Sequence, residues 1–145
     1  MTVLRAITND GIKELTKLHG LSAGGVAFSL VALGTCDPDN PDNAPAATDT
    51  GLNSELTTST YTRKLATVTV DPALTGDPNG TTIMYTATWE PGEIVQAGGS
   101  AQAITEIGLF NSSGKMYYRE LRGALTFDDT VGVVIKIKCK FSRVV

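Results

Sequence analysis

Alternation of apolar and polar residues is clearest at the end of the chain. From Val131 to Phe141 every second residue is apolar, and three lysines lie between them: Lys136, Lys138 and Lys140. Successive side chains of a strand point to opposite faces, so the pattern predicts one buried and one solvated face. Because of its six apolar side chains, we expect this strand to be the main contributor to the core. We expect the lysines to be solvated or to guard a sheet edge, with contact to an anionic partner as the alternative.

A hairpin is predicted just before this strand. Two β-rich segments flank Asn111–Gly114, where Gly114 supplies the positive φ of a tight turn. The run at 26–33 is apolar on both faces and predicts a central strand. Six strands are predicted in all, near residues 26–33, 61–70, 81–89, 103–110, 115–121 and 131–143.

No long helical pattern separates these strands, so parallel crossovers are not expected. The sequence predicts a mainly β protein, an antiparallel β-sandwich of jelly-roll-like type with one short N-terminal helix and a meander from residue 61 onward. A chain of 145 residues fits one domain, 1–145.

The short helix is expected to start at Asn9 or Asp10 and to stop at Gly20. About ten residues are marginal alone, so its apolar stripe must lie on the sheet or on a neighbouring subunit. We expect partner contacts in this arm and helix (1–25) and in a proline-bearing surface loop (35–56), which carry the least self-sufficient structure. The candidate contact residues are Arg5, Ile12, Leu15, Leu18, Pro38, Pro41, Pro45 and Leu52.

Charge and hydropathy narrow the class of partner. The net charge of −3 argues against a general nucleic-acid binder. The longest apolar stretch, Val26–Leu33, is too short to cross a bilayer, and the N-terminal residues lack a secretory pattern, so synthesis in a cytoplasm is expected. Residues 1–60 are mainly acidic and residues 130–145 are basic, which would steer a head-to-tail assembly; a chance distribution of solvated charge is the alternative.

Candidate chemistry is sparse. The single histidine, His19, is expected to bond carbonyls at the helix end, and Cys36 and Cys139 are expected to be free thiols. We predict no catalytic residue and no cofactor. Three carboxylates in one loop, those of Asp37, Asp39 and Asp42, are weak candidates for calcium, but their spacing does not match an EF-hand loop and an ordinary solvated loop is favoured.

Several segments together resemble virion proteins of tailed bacteriophages. They are Ala32–Thr35 followed by Ala44–Leu56, then Ile104–Glu120 and Thr126–Phe141. Similar patterns occur near the attachment domains of tail-collar and tail-fibre proteins and in small phage appendage or decoration proteins. The likeness covers most of the chain from residue 26; the segment Cys36–Asn43 is longer here than in the family pattern.

The resemblance implies a non-enzymatic structural protein, made in the bacterial host cytoplasm and located on the virion. It implies a tail, collar or fibre-attachment component that contacts other virion proteins as a homo-oligomer, with a trimer favoured. Capsid decoration or a head fibre is the alternative. A second class is a carbohydrate-binding β-module using Tyr85, Trp89, Tyr117 and Tyr118 as a stacking platform, although aromatics at alternating strand positions are more often core.

Overall fold

The protein folds as two antiparallel sheets and one α-helix. The computed structural model describes residues 3–19, 25–57, 63–71 and 80–142. Its elements in chain order are β1 (Leu4–Ile7), α1 (Asn9–His19), β2 (Phe28–Gly34), a 3-10 turn (Pro41–Asn43), β3 (Arg63–Leu65), β4 (Thr67–Asp71), β5 (Gly80–Trp89), β6 (Gln102–Asn111), β7 (Met116–Phe127) and β8 (Val133–Ser142).

One sheet has the order β1-β7-β6-β2-β3 and the other the order β4-β5-β8. The main core lies between them, where Val31 and Leu109 of the first sheet pack in one cluster with Tyr85, Trp89 and Ile137 of the second. The predicted mainly β, antiparallel sandwich with one short N-terminal helix is therefore confirmed.

The predicted hairpin is confirmed as β6 and β7. Gly114 has a φ of 79° in the connecting turn, a conformation that side chains with a Cβ rarely adopt. The turn is held from within, because the buried Asn111 side-chain oxygen accepts hydrogen bonds from the N–H groups of Ser113 (3.0 Å) and Lys115 (2.9 Å).

The centre of the core differs from the prediction. Every residue of β6 from Ile104 to Asn111 is buried, because β6 is the middle strand of its sheet and both faces are covered. In contrast, β8 is an edge strand, and only Ile135 and Ile137 of its apolar face are fully buried. The expectation that β8 is the main contributor to the core is wrong. The run at 26–33 was expected to be central, and β2 is an internal strand, paired with β6 on one side and with β3 on the other.

The segment 61–70 was predicted as one strand, but it crosses from one sheet to the other. Ala66 separates β3 from β4, and its N–H donates to the carbonyl of Ser29 at 2.7 Å. The predicted pairing with the strand at 81–89 is confirmed as β4 with β5; residues 61–62 and the turn at 72–79 lie outside the described residues. The meander is wrong, because the chain changes sheet again between β5 and β6 and between β7 and β8.

The first strand, β1, was not predicted. Its four residues pair with β7, from Leu4 opposite Leu121 to Ile7 opposite Tyr118. A four-residue segment is too short for an alternation pattern to stand out. It adds an edge to the five-stranded sheet directly before the helix.

Candidate functional site

The helix packs on the sheet by a close approach of backbones. Its first residue is Asn9, as expected, but the cap is Thr8: the Thr8 hydroxyl oxygen accepts from the Gly11 N–H at 3.0 Å, and the Thr8 carbonyl accepts from the Ile12 N–H at 3.1 Å. The same hydroxyl donates to the carbonyl of Met116. Gly11 lies directly on β7, since a Cβ there would be 2.6 Å from the Cα of Tyr117.

A buried carboxylate fixes the next turn of the helix. Glu14 accepts hydrogen bonds from the Lys17 ammonium at 2.6 Å and from the Val26 N–H at 3.2 Å. These two bonds, the one from Lys17 first, lower the pKa of Glu14. The helix is therefore anchored through small and polar residues, Gly11 and Glu14.

The predicted apolar stripe is mostly left uncovered by this anchoring. Leu15 packs against the main core, but Ile12 is 53% exposed and Leu18 is 45% exposed. Arg5, the fourth candidate in the N-terminal segment, lies on β1 and is also exposed; its Nε donates to Glu120 at 2.9 Å. We define the exposed side chains of Ile7, Ile12 and Leu18 as the N-terminal apolar patch.

The loop candidates have a different environment. Residues 35–56 lie against the outer face of the five-stranded sheet, where Leu52 packs on a second small cluster of Ala32, Phe110 and Met116. Pro41 is exposed, whereas Pro38 and Pro45 are partly buried. We call residues 35–56 the strap, because they cover this face of the sheet.

A buried ionic cluster attaches the strap to the sheet. Arg119 of β7 and Glu106 of β6 are 1% and 0% exposed, and Arg119 Nη2 lies 2.6 Å from Glu106 Oε1. Glu106 also accepts from the N–H groups of Asn53 (3.1 Å) and Ser54 (3.0 Å) in the strap. Both side chains lie on the outer face of the β6–β7 hairpin and contact the strap.

The guanidinium of Arg119 makes two further bonds to the strap. Its Nη1 donates to Asp49 at 2.8 Å and its Nη2 donates to the carbonyl of Asn43 at 2.8 Å. Burial alone lowers the pKa of Arg119, but the hydrogen bonds to Asp49 and Glu106 outweigh it and raise that pKa, so the guanidinium stays charged. Residues 35–56 are therefore held in place by buried charges of the sheet.

The three loop carboxylates do not form a shared site. Asp37 accepts from the Asp39 N–H at 3.0 Å, an Asx turn, while the Asp42 N–H donates to the Asn40 side chain at 3.0 Å. Within the described residues no three His, Cys, Asp or Glu side chains are grouped as metal ligands. The weak calcium candidates Asp37, Asp39 and Asp42 thus gain no support from their geometry.

The aromatic platform is not available to a sugar. Trp89 is 1% exposed, and Tyr85 and Tyr117 are also buried, since all three pack into the main core. Stacking on a carbohydrate requires an open ring face, so these three rings cannot form the predicted platform. Tyr118, the fourth residue of that platform, is half-buried. The side chain of His19 lies outside the described part.

Both cysteines are free, as predicted. Cys36 is a buried residue of the strap; its burial and, next, the nearby Glu106 charge raise its pKa to about 11. Burial also raises the pKa of Cys139. Raised pKa values keep both groups as neutral thiols near pH 7, which is typical of structural cysteines.

Glu106 and Arg119 are the residues that the sequence reasoning missed. Glu106 is the single charged residue of β6, and Gly108, on the same face of β6, lies opposite Arg119 of β7. Regular pairing counted outward from Phe110 opposite Met116 would place Arg119 opposite Ile107, on the other face from Glu106. The irregularity between Leu109 and Phe110 shifts the register by one residue and brings the two charges to one face. A charge in an apolar strand indicates a buried partner, but it does not identify that partner.

Comparison with protein-family models, curated proteins and solved structures found no match to this chain. No helix among the described residues is long and apolar enough to span a bilayer.

Proposed function

We propose that this chain is a non-enzymatic structural protein of a tailed-bacteriophage virion, a tail, collar or fibre-attachment component that docks on the particle as a homo-oligomer. The proposal starts from the resemblance of residues 32–56 and 104–141 to such proteins. Its partners would be copies of itself and other virion proteins.

The observation that carries the docking role is the N-terminal apolar patch. A surface helix normally turns its apolar stripe toward its own core, but here Gly11 and Glu14 occupy the contact with the sheet and Ile12 and Leu18 are exposed. Ile7 on the adjoining strand is 48% exposed. Large exposed apolar side chains on one helix and on the strand that precedes it are expected on a surface that another protein covers.

A trimer is the assembly we propose, and sedimentation of the purified chain tests it. At micromolar concentration we expect an oligomer for the wild type and a monomer for the double variant Ile12→Glu and Leu18→Glu, because charges in an apolar interface must be desolvated. Lys13→Glu, at an exposed residue on another face of the same helix, is the control and should leave the assembly intact. A monomeric wild type that is also absent from particles would contradict the proposal.

Position on the particle follows from copy number. Quantitative mass spectrometry of purified particles, with the major capsid protein as the internal standard, should find a handful to a few dozen copies for a tail or collar component. Hundreds of copies would favour the alternative, capsid decoration or a head fibre, and would rule out the tail location.

A further inference from the structure

A second surface lies between β1 and β8, where the sandwich is open. Each of these strands is the last strand of its sheet. Two cavities of about 540 and 470 Å³ lie in the opening, and both are lined by Arg5, Tyr118 and Lys138. Together they follow β8 from Val134 to Phe141, which is roughly 23 Å at about 3.3 Å per residue. We call this opening the β8 cleft.

Positive charge dominates the larger cavity. It is lined by four cations, of Arg5, Arg122, Lys136 and Lys138, and by one carboxylate, of Glu120.

That carboxylate is already engaged. Glu120 accepts from Arg5 Nε at 2.9 Å and from the Tyr118 hydroxyl, and Arg122 Nη1 lies 3.8 Å from its other oxygen. In the ranges that the structure describes, Lys136 and Lys138 make no ion pair or hydrogen bond, and the buried Nε of Arg122 has no partner. The cleft therefore has an excess of positive charge on a protein whose net charge is negative.

The backbone of β8 is also open to the cleft. Residues 134–138 all line the larger cavity, although their side chains alternate between the two faces of the sheet, so the edge of the strand itself borders the opening. β8 pairs with β5 on one side only. On an antiparallel strand every second residue directs its N–H and C=O toward the free edge, which can pair with an added strand.

The smaller cavity is more apolar. Ile7 and Phe141 line it, and they are 48% and 41% exposed. An occupant that follows β8 would thus meet cations along one part of the cleft and apolar side chains along the other.

The charges of the β8 cleft indicate which kind of segment can bind there. Lysines on an edge strand repel an identical strand, so pairing of β8 with β8 of a second copy would bring like charges together. The exposed acidic stretch of this chain, Asp37–Asp42, is bent into Asx and 3-10 turns and cannot extend along a strand. An extended acidic segment of a different protein fits both the free backbone edge and the excess charge.

We propose that the β8 cleft binds an extended acidic segment of a partner protein, which adds as a strand to β8. The inference rests on the proposed docking role and names the chemistry of one docking partner. The two surfaces share Ile7, but the cations and the strand edge that support this inference are separate from Ile12 and Leu18, the residues changed in the oligomer test.

The test uses the full chain and a synthetic eight-residue peptide with alternating Glu and Val, capped at both ends. Fluorescence anisotropy measures affinity, and amide chemical shifts locate the contact. We expect saturable binding that weakens with salt, with shifts concentrated at residues 134–141. The same peptide with two central Val residues replaced by Pro keeps its charge but loses strand-pairing N–H groups, and it should bind at least about tenfold more weakly.

Charge reversal on the protein provides the second arm. Lys136→Glu with Lys138→Glu should weaken binding of the acidic peptide at least about tenfold, and Arg5→Ala on the facing strand should weaken it by a smaller factor. Lys13→Glu, at an exposed helix lysine outside the helix anchor, is the matched control for Lys138→Glu alone and is expected to change affinity less than about twofold.

Three results would overturn the inference. The acidic peptide could show no saturable binding at millimolar concentration, or the proline peptide could bind as tightly as the acidic peptide. The third is a larger loss of peptide affinity on changing the helix lysine than on changing the β8 lysines. Binding of a 12-nucleotide single-stranded DNA, or of vesicles with anionic lipid, more tightly than the acidic peptide and with shifts at the same β8 amides would also overturn it. The occupant of the cleft would then be a nucleic acid or a membrane surface. If the peptide does not bind but the protein is found as an oligomer on particles, only this inference is wrong and the proposed function is unaffected.

Discussion

Removal of the Arg119 guanidinium should release the strap. In Arg119→Met a flexible apolar chain of similar length replaces a group that is 1% exposed and donates four hydrogen bonds, two to Glu106 and one each to Asp49 and the carbonyl of Asn43. Glu106 would remain fully buried, with only the N–H groups of the strap as partners.

Breaking a buried ion pair from one side costs about 3–5 kcal/mol, because the remaining charge is buried without compensation. For a domain of about this size, 1 kcal/mol corresponds to roughly 2–4 °C in Tm, so we expect the Tm of Arg119→Met to fall by roughly 6–20 °C. Thermal and urea unfolding measure this loss. Amide hydrogen exchange at Asn53 and Ser54 reports whether the strap opens.

The control is Arg5→Met, the same substitution at a side chain that is 60% exposed and also paired with a glutamate. Exposed pairs contribute about 0–1 kcal/mol, so its Tm should change little. In the double variant Glu106→Gln with Arg119→Met, the loss should be smaller than the sum of the single losses by about 0.5–3 kcal/mol, because the two residues are coupled. A Tm for Arg119→Met within 2 °C of wild type, with exchange at Ser54 unchanged, would refute the buried cluster as the attachment of the strap.

Two further predictions concern the helix contact and the buried thiol. Gly11→Ala places a Cβ 2.6 Å from the backbone of Tyr117, so we expect a loss of about 1–3 kcal/mol in unfolding free energy. Thr16→Ala, an exposed change on the same helix, should alter the unfolding free energy by less than about 0.5 kcal/mol. Equal effects of the two variants in urea unfolding would show that the backbones are not in contact. Because the pKa of Cys36 is raised to about 11 by burial and by Glu106, its contribution to stability is present below the unfolded pKa near 9 and is lost as the pH rises toward 11. Between pH 9 and 11 the unfolding free energy of wild type should therefore fall more steeply than that of Cys36→Ala, and parallel curves would contradict the assigned pKa.

Local features of the fold could be predicted because they depend on neighbouring residues. Alternation sets the two faces of β8, Gly114 sets the hairpin turn, and the spacing of Ile12, Leu15 and Leu18 sets a helix. Each depends on backbone periodicity or on a single φ value, which the local sequence specifies. The mainly β, antiparallel class follows from the same signals.

Several features of the candidate sites depended on tertiary structure. The same alternation in β8 is compatible with a central or an edge strand, and only the order of strands in each sheet leaves Phe141 exposed and opens the β8 cleft. The helix shows the same limit, since its period predicts an apolar stripe but not that Gly11 would take the contact with the sheet.

The strap is the feature that most clearly required the tertiary structure. Its prolines and acidic residues predict a solvated loop, and that composition says nothing about a guanidinium 70 residues further along the chain. Arg119 and Asp49 meet because β6 and β7 place a buried ion pair beneath the strap. Sequence periodicity is local, whereas the desolvated charges that hold the strap are brought together by non-local strand pairing. The position of the strap is therefore visible only in the folded structure.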